Sequence, residues 1–316
     1  MNTIDGTIIP YNFHTHTCFC DGKNTLEEMT LAAIQAGMKG IGFSGHSYTA
    51  YDDCYCMSLA DTETYFTEID RLRGLYGDQI TILRGIEQDF GSDEPTDAYD
   101  YVIGSVHASF APAHDKIQAR KNADTEQPAS GSFHGFDRSR FYYIDWSVDR
   151  IKEAVRTDFR GDVYAFIEHY YETVGMLPEV TGCHIIGHFD LVTKFNEKQP
   201  WFCEEHPRYR SAVRKALDRI FETWPQSRGA RRAGDAPIFE INTGAISRGW
   251  RSLPYPSDRI LREIYARGGQ VMINSDSHAK DTLTCCFKEA AELARCCGFR
   301  HTKIITQNGF EDFSLT

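Results

Sequence analysis

Short apolar runs punctuate the chain, and each ends in a polar cluster. Residues 7–13 lead into His14 and His16, residues 40–43 into Ser44-Gly-His-Ser47, residues 80–85 into Ile86-Glu-Gln-Asp89, and residues 101–105 into His107. Further on, residues 184–187 lead into His188 and Asp190, residues 236–239 into Glu240-Ile-Asn-Thr-Gly244, and residues 270–273 into Asn274-Ser-Asp-Ser-His278. Runs this short, bounded by turn formers, read as strands. The stretches between them carry apolar residues at helical spacing. That spacing predicts helices over 26–36, 61–76, 148–159, 162–177, 208–223 and 257–267. Thr25 with Glu28 three residues on fits a capping box, and Gly37 and Gly77 fit as stops.

Seven strand-like runs alternating with helices argue for a parallel sheet. Polar residues at the C-terminal end of every strand are where α/β barrels build their sites. Two packed domains would split those residues into clusters, whereas here they run from His14 to His278. One closed barrel-like domain over residues 1–316 is therefore expected, with an insertion at about 108–180 over its mouth. Within the insertion, residues 111–132 are polar and read as a mobile loop. Phe141-Tyr-Tyr-Ile-Asp-Trp-Ser147 is an aromatic stretch. Residues 226–235, with Arg228, Arg231 and Arg232 among Gly and Ala, read as a solvated loop.

Composition narrows the class. With 41% hydrophobic and 25% charged residues, the chain is globular rather than disordered. No apolar stretch is long enough to span a membrane, and the first residues lack a signal-peptide pattern, so a cytoplasmic location is expected. A net charge of −11 argues against general nucleic-acid binding. Oligomeric state is open. The ten cysteines form no CxxC pair series and are expected to stay reduced. Cys285, Cys286, Cys296 and Cys297 read as small core residues of a helical segment, and Cys18 and Cys20 as minor candidates for soft metal ligands.

The chemistry lies in the strand ends. His14, His16, Asp21, His46, Glu87, His107, His188, Asp276 and His278 each fall in a loop after a predicted strand. His14 and His16, two apart on extended chain, aim at one point. Six of the chain's 12 histidines at equivalent positions are hard to explain without metal. Nine ligands suit two or three ions, and a mixed imidazole and carboxylate set suits zinc, iron or manganese. No P-loop, dinucleotide fingerprint or nucleophile elbow occurs.

The motif series also resembles a known family. His-Thr-His with a following Asp-Gly, Ser-Gly-His-Ser, Gly-Ile-Glu, Gly-Ser-Val-His107, Gly187-His-Phe-Asp-Leu-Val-Thr-Lys-Phe195 and Asn-Ser-Asp-Ser-His278 look like those of the polymerase-and-histidinol-phosphatase (PHP) family. With Glu240-Ile-Asn-Thr and Pro254-Tyr-Pro-Ser257, they are most similar to its monofunctional histidinol-phosphate phosphatases. The resemblance implies a distorted (β/α)7 TIM-like barrel. It implies His14, His16, Glu87 and Asp276 on a first metal, Glu87 bridging to His107 and His188 on a second, and Asp21, His46 and His278 on a third.

The expected reaction is hydrolysis of L-histidinol phosphate to L-histidinol and phosphate, in histidine biosynthesis, by hydroxide bridging the ions. Three divalent cations against three carboxylates and one hydroxide leave about +2 for a phosphate dianion. Glu87 and Asp276 are then catalytic as ligands, and Asp276 is also placed to hold the proton of the attacking water. Arg248 is the first choice to grip phosphate, with Lys194 next and Arg251 competing with Arg248. Asp190 is a candidate leaving-group acid or a partner that orients His188. The aromatic stretch would cover the imidazole. A PHP phosphoesterase for another small phosphate ester or a nucleotide is the alternative, and a metal-binding regulator that has lost turnover is a third reading.

Overall fold

The computed structural model describes residues 9–51, 54–112, 132–133 and 136–315. The barrel is built from seven parallel strands: β1 (Tyr11–Asn12), β2 (Gly40–Phe43), β3 (Thr81–Asp89), β4 (Tyr101–Ser105), β8 (Ile185–Ile186), β9 (Ile238–Asn242) and β10 (Gln270–Asn274), neighbouring in that order. Buried on both faces, these strands read as near-continuous apolar runs. The ends of the sheet then meet. Thr15 bridges Ser277, His16 N–H donates to the Ser277 carbonyl, and Asn274 Oδ1 accepts from Phe13 N–H at 2.9 Å. The closing seam thus lies beside His14, His16 and Asp276.

Helices between the strands cover the outer face: α1 (Leu26–Gln35), α2 (Leu59–Tyr76), α3 (Val148–Asp158), α4 (Val163–Gly175), α5 (Pro207–Thr223), α6 (Asp258–Ala266) and α7 (Phe287–Cys296). The Thr25 and Glu28 side chains form the expected capping box on α1, a device that contributes about 1 kcal/mol. The barrel interior is filled by Phe13, Leu83, Tyr101, Ile103, Ile185, Ile238 and Met272. Tyr101 Oη donates across it to the Phe13 carbonyl at 2.6 Å. A Cβ at Gly85 would stand 2.1 Å from the Tyr101 ring, so a glycine is required there. Ile304 and Ile305 join this interior cluster from a C-terminal hairpin, β11 (His301–Thr306) and β12 (Gly309–Ser314).

Three parts differ from the expectation. After β4 the chain forms an antiparallel sheet of β5 (Ala108–Pro112), β6 (Ser132–Phe133) and β7 (Phe136–Tyr143), ordered β5-β7-β6. The expected mobile loop at 111–132 falls mostly on residues 113–131, outside the described residues, as do residues 7 and 8 of the first predicted strand. The ends of that loop are ladder residues, because Ala111 and Ser132 each pair with β7. The 226–235 segment is not simply solvated. Residues Ala230–Ala233 form a helical turn, and Arg228 donates to Asp97 and Thr96. Of the four cysteines read as core, only Cys297 is buried; Cys296 is exposed and Cys285 and Cys286 are half-buried, since α7 begins after them and turns its Ala290, Ala291 and Ala294 inward. No helix among the described residues is long and apolar enough to cross a membrane.

Candidate metal centre

The seven strands deliver their C-terminal ends to one rim, and the nine candidate side chains meet there. Glu87 is the hub. It lies inside β3 rather than in a loop after it, because that strand runs on to Asp89. Its Oε2 faces His14 Nε2 at 3.3 Å, His16 Nε2 at 3.5 Å and His46 Nδ1 at 3.0 Å. Its Oε1 faces His188 Nε2 at 2.9 Å and His107 Nε2 at 3.4 Å. One carboxylate therefore presents a separate oxygen to each of two histidine groups, the arrangement a bridging ligand needs.

Asp276 closes the first group from the seam, with Oδ1 3.2 Å from His16 Nε2 and 3.8 Å from His14 Nε2. It sits at φ +49°, a left-handed conformation that Asp tolerates better than most residues and that turns its carboxylate into the rim. Asp21 enters on a tight turn held by Cys20 and Gly22 N–H groups on the Thr17 carbonyl. Lys23 N–H bonds the His278 carbonyl, which brings Asp21 Oδ2 to 3.1 Å from His278 Nε2. Asp21 Oδ1 lies 3.4 Å from His16 Nδ1 and 3.7 Å from His46 Nε2.

Three sets of donor atoms fall within 4.8 Å of one another: His14, His16 and Asp276; His46, Glu87 and His107; and His16, Asp21, His46 and His278. His46 and His16 are each shared between sets, whereas His188 joins through Glu87 Oε1. The donors are also unsatisfied. His14 Nε2, His16 Nε2 and Glu87 Oε2 are buried with no hydrogen-bond partner among the described residues. Buried ring nitrogens and a carboxylate oxygen left without partners together fit metal ions, which would take up their lone pairs.

Residues 12–230 match the PHP domain. The chain belongs to the PHP domain family. The histidinol-phosphatase of Bacillus subtilis is 24% identical over 279 residues, spanning 84% of this chain and 92% of that protein. A Schizosaccharomyces pombe protein described as a probable histidinol-phosphatase is 26% identical over 293 residues, spanning 85% of this chain and 81% of its own length. Among solved structures, histidinol phosphate phosphatase from Lactococcus lactis, complexed with zinc, L-histidinol and phosphate, aligns with TM-score 0.60 at 17% identity over 95% of this chain and 98% of that one. A Listeria monocytogenes structure aligns with TM-score 0.63 at 18% identity over 88% and 99%. These two structures share the PHP barrel fold with this chain.

The electrostatics of this PHP site follow from packing acids and imidazoles together. Burial pulls His14 down, but Glu240, Glu87 and Asp276 outweigh it and push its pKa up to about 10. Burial alone would raise Glu87; His14, His107 and His46 instead hold its carboxyl well below the usual range. Asp276 is likewise held low against its burial, chiefly by Arg248 and His14. Removing the His14 proton therefore calls for another source of positive charge at the same place, which a metal ion would supply.

The cavity over the centre has a volume of about 330 Å³. The metal-side residues Asp21, His46, His107, His188, Asp276 and His278 line it. So do Arg248 and Lys194, and a wall of Tyr55, Tyr143, Asp145, Trp146 and Leu191. The insertion thus reaches the mouth through residues 143–146. Between the two arginines considered, the cavity takes Arg248. Its Nη2 bonds Asp276 Oδ2 at 2.9 Å and its Nη1 lies 2.9 Å from His278 Nδ1. A Cβ at Gly244 would stand 2.8 Å from that guanidinium and from Asp276 Oδ2, so glycine makes room for the pair. Arg251 points elsewhere: it bonds Thr193 Oγ1 and stacks over Tyr255 at 4.8 Å.

Asp190 needs a correction. It is fully buried, does not line the cavity, and accepts from Ser257 N–H at 3.0 Å. Burial pushes its pKa up to about 6. Two residues past His188, the chain has already turned into a 3-10 segment at Leu191–Thr193, so Asp190 does not share the face of His188. It stands outside the cavity lining and, among the described residues, makes no hydrogen bond to the His188 ring. The cysteine alternative also fails on geometry: Cys20 Sγ lies 3.5 Å from His16 Nδ1, the back of the ring, and no cysteine enters the three donor sets.

Sequence reasoning missed two anchoring carboxylates. Glu240, fully buried on β9, accepts from His14 Nδ1 at 2.6 Å and from His188 N–H at 3.0 Å. Asp89 Oδ2 takes His107 N–H at 3.1 Å and lies 3.2 Å from its Nδ1. Carboxylates behind metal-facing imidazoles fix the ring orientation and leave the opposite nitrogen as the ligand. Their signal was alternation. Glu87 and Asp89 lie two apart on one strand, as do Glu240 and Asn242, and each pair turns to one face.

Proposed function

We propose that this protein is a metal-dependent phosphatase that hydrolyses L-histidinol phosphate to L-histidinol and inorganic phosphate. The observation that carries the reading is the cluster of buried donors without partners among the described residues, His14 Nε2, His16 Nε2 and Glu87 Oε2, which lies against His46, His107, His188 and Asp276, themselves lining a cavity that also holds Arg248 and Lys194. The family membership and the Lactococcus lactis complex, which holds zinc, histidinol and phosphate, support the substrate.

The nine rim residues are assigned as the ligands of two or three ions. His14, His16, Glu87 and Asp276 would take one ion, Glu87 would bridge to His107 and His188, and Asp21, His46 and His278 would take a third. Zinc is favoured by the Lactococcus lactis relative and fits the mixed donors as iron and manganese do. Such ions, when bound, neutralise charge on the phosphoryl oxygens and bring water to a nucleophilic form near neutral pH.

The chain's own residues do the rest. Arg248 and Lys194 bring positive charge to the cavity for the phosphate. Asp276 is the cavity-lining carboxylate assigned to receive the proton of the attacking water. Tyr143, Trp146, Tyr55 and Leu191 exclude water from one side and offer flat apolar surface to an imidazole. Residues 1–316 are taken as one barrel domain, with the 108–180 insertion completing the mouth.

The test is phosphate release from histidinol phosphate by protein stripped of metal and then reloaded with zinc, iron or manganese. Activity that returns with metal supports the reading. Absence of turnover with every metal refutes it.

A further inference from the structure

The cavity carries one carboxylate that the metal centre does not use. Asp21 and Asp276 face histidines, but Asp145, in the aromatic stretch of the insertion, pairs among the described residues with Lys194 alone, whose Nζ lies 3.0 Å from its Oδ2. Lys194 also donates to the Asp145 backbone carbonyl at 2.9 Å, so it keeps an acceptor of its own. Asp145 Oδ1 accepts no hydrogen bond among the described residues, and the side chain is 28% exposed, opening onto the cavity.

We infer that Asp145 recognises a cationic ammonium group carried by the substrate close to its phosphate ester. This inference rests on the phosphatase reading above and specifies the substrate's chemistry. The cavity has three zones: a floor of metal ligands with Arg248, a single spare carboxylate, and a wall of Tyr55, Tyr143 and Trp146. Histidinol phosphate has three matching parts: a phosphate dianion, an ammonium on the carbon next to the ester-bearing carbon, and an imidazole.

Position supports the match. Asp145 is close enough to His107, His188 and Arg248 to perturb them or be perturbed by them, so it borders the floor where phosphate would sit. Lys194, helped by His107, holds it ionised against its burial. Lys194 takes Asp145 Oδ2 and offsets its charge, so a substrate ammonium at Oδ1 gains a charged acceptor that an ammonium-free phosphate ester does not use. Asp145 thus favours aminoalkyl phosphates over alkyl phosphates that lack the ammonium.

The experiment compares metal-loaded wild type, Asp145→Asn and Asp145→Glu on two pairs of esters. One pair is histidinol phosphate and its analogue lacking the amino group. The other is O-phosphoethanolamine and ethyl phosphate. The quantity read is the ratio of kcat/KM for the ammonium-bearing ester over its ammonium-free partner. Asp145→Asn is expected to lower that ratio by about 100-fold, through KM more than kcat, because the ammonium loses its charged acceptor. Asp145→Glu should recover part of it.

A ratio in Asp145→Asn within about 3-fold of wild type, a difference smaller than one charged hydrogen bond is worth, overturns the inference and leaves Asp145 as the holder of Lys194. If wild type does not hydrolyse histidinol phosphate, the substrate reading fails. The phosphoethanolamine pair then still decides Asp145, through the same ratio.

Discussion

Replacing Glu240 by Gln tests how the first ion's site is held. The Glu240 carboxylate accepts four hydrogen bonds: His14 Nδ1 at 2.6 Å and Asn274 Nδ2 at 3.1 Å on Oε1, and His188 N–H at 3.0 Å and Asn242 Nδ2 at 2.9 Å on Oε2. All four partners donate. A glutamine keeps the shape but turns one oxygen into an NH2 group that faces two donors. Two bonds are lost whichever way the amide sits, in a site with no access to water. At about 1–3 kcal/mol for each buried group left unpaired, the cost is roughly 2–6 kcal/mol.

Part of this cost falls on the fold and part on the metal. His14 no longer has a charged acceptor to hold Nδ1–H, so Nε2 is no longer fixed as the free nitrogen facing Glu87. Loss of such a partner typically weakens metal binding by about 10- to 100-fold. The assay is chelator competition on folded protein, with thermal unfolding run alongside to separate the two effects. Phosphatase activity at limiting metal should fall in step, and excess metal should restore much of it. Wild-type metal affinity in a Glu240→Gln protein that melts at the wild-type temperature would refute the assignment of Glu240 as the group that orients His14.

Three other outcomes are expected. Arg248→Ala should lower kcat/KM by about 10- to 100-fold on any phosphate ester, because a charged partner of the phosphate is lost, whereas Arg251→Ala, which points to Thr193, should affect stability more than turnover; steady-state kinetics on both variants checks this. Metal affinity should rise with pH through the neutral range, since without metal the carboxylates around His14 push its pKa up to about 10 and the ion must displace that proton; metal titrations at several pH values in weakly binding buffers read it. His184, buried and accepting from Val102 N–H, has its pKa pulled down to about 4 by burial and by Arg232 and Arg228. The unfolded chain therefore binds more protons between pH 6.5 and 4, stability falls as pH drops through that window, and His184→Gln should remove about 2 kcal/mol of the loss between pH 7 and 5 in urea unfolding.

The barrel was legible because its strands are buried on both faces and so read as apolar runs, each stopping where polar side chains take over. The rim histidines were legible for the same reason, since a strand end fixes where a side chain goes. What stayed hidden depends on contacts distant in sequence or on local turns. Glu240 meets His14 across 226 positions, and its alternation with Asn242 shows that the two share a face but not that the face meets His14. Asp190 lies close to His188 in sequence, but the chain turns into a 3-10 segment directly after it, and closeness in sequence does not show which way a side chain faces at a turn. The β5-β7-β6 sheet escaped because Phe136–Tyr143 mixes arginines and aspartate with aromatics, so its alternation is weak. The C-terminal hairpin was missed because its strands form a separate two-stranded antiparallel sheet and do not continue the alternation of strands and helices.

The most direct measurement is kcat/KM of the metal-loaded protein for L-histidinol phosphate beside para-nitrophenyl phosphate and a nucleoside monophosphate. The account predicts a marked preference for histidinol phosphate, abolished with the other activities when the metal is removed. Equal rates on all three esters would contradict the histidinol claim, and turnover that survives complete removal of metal would contradict the metal centre itself.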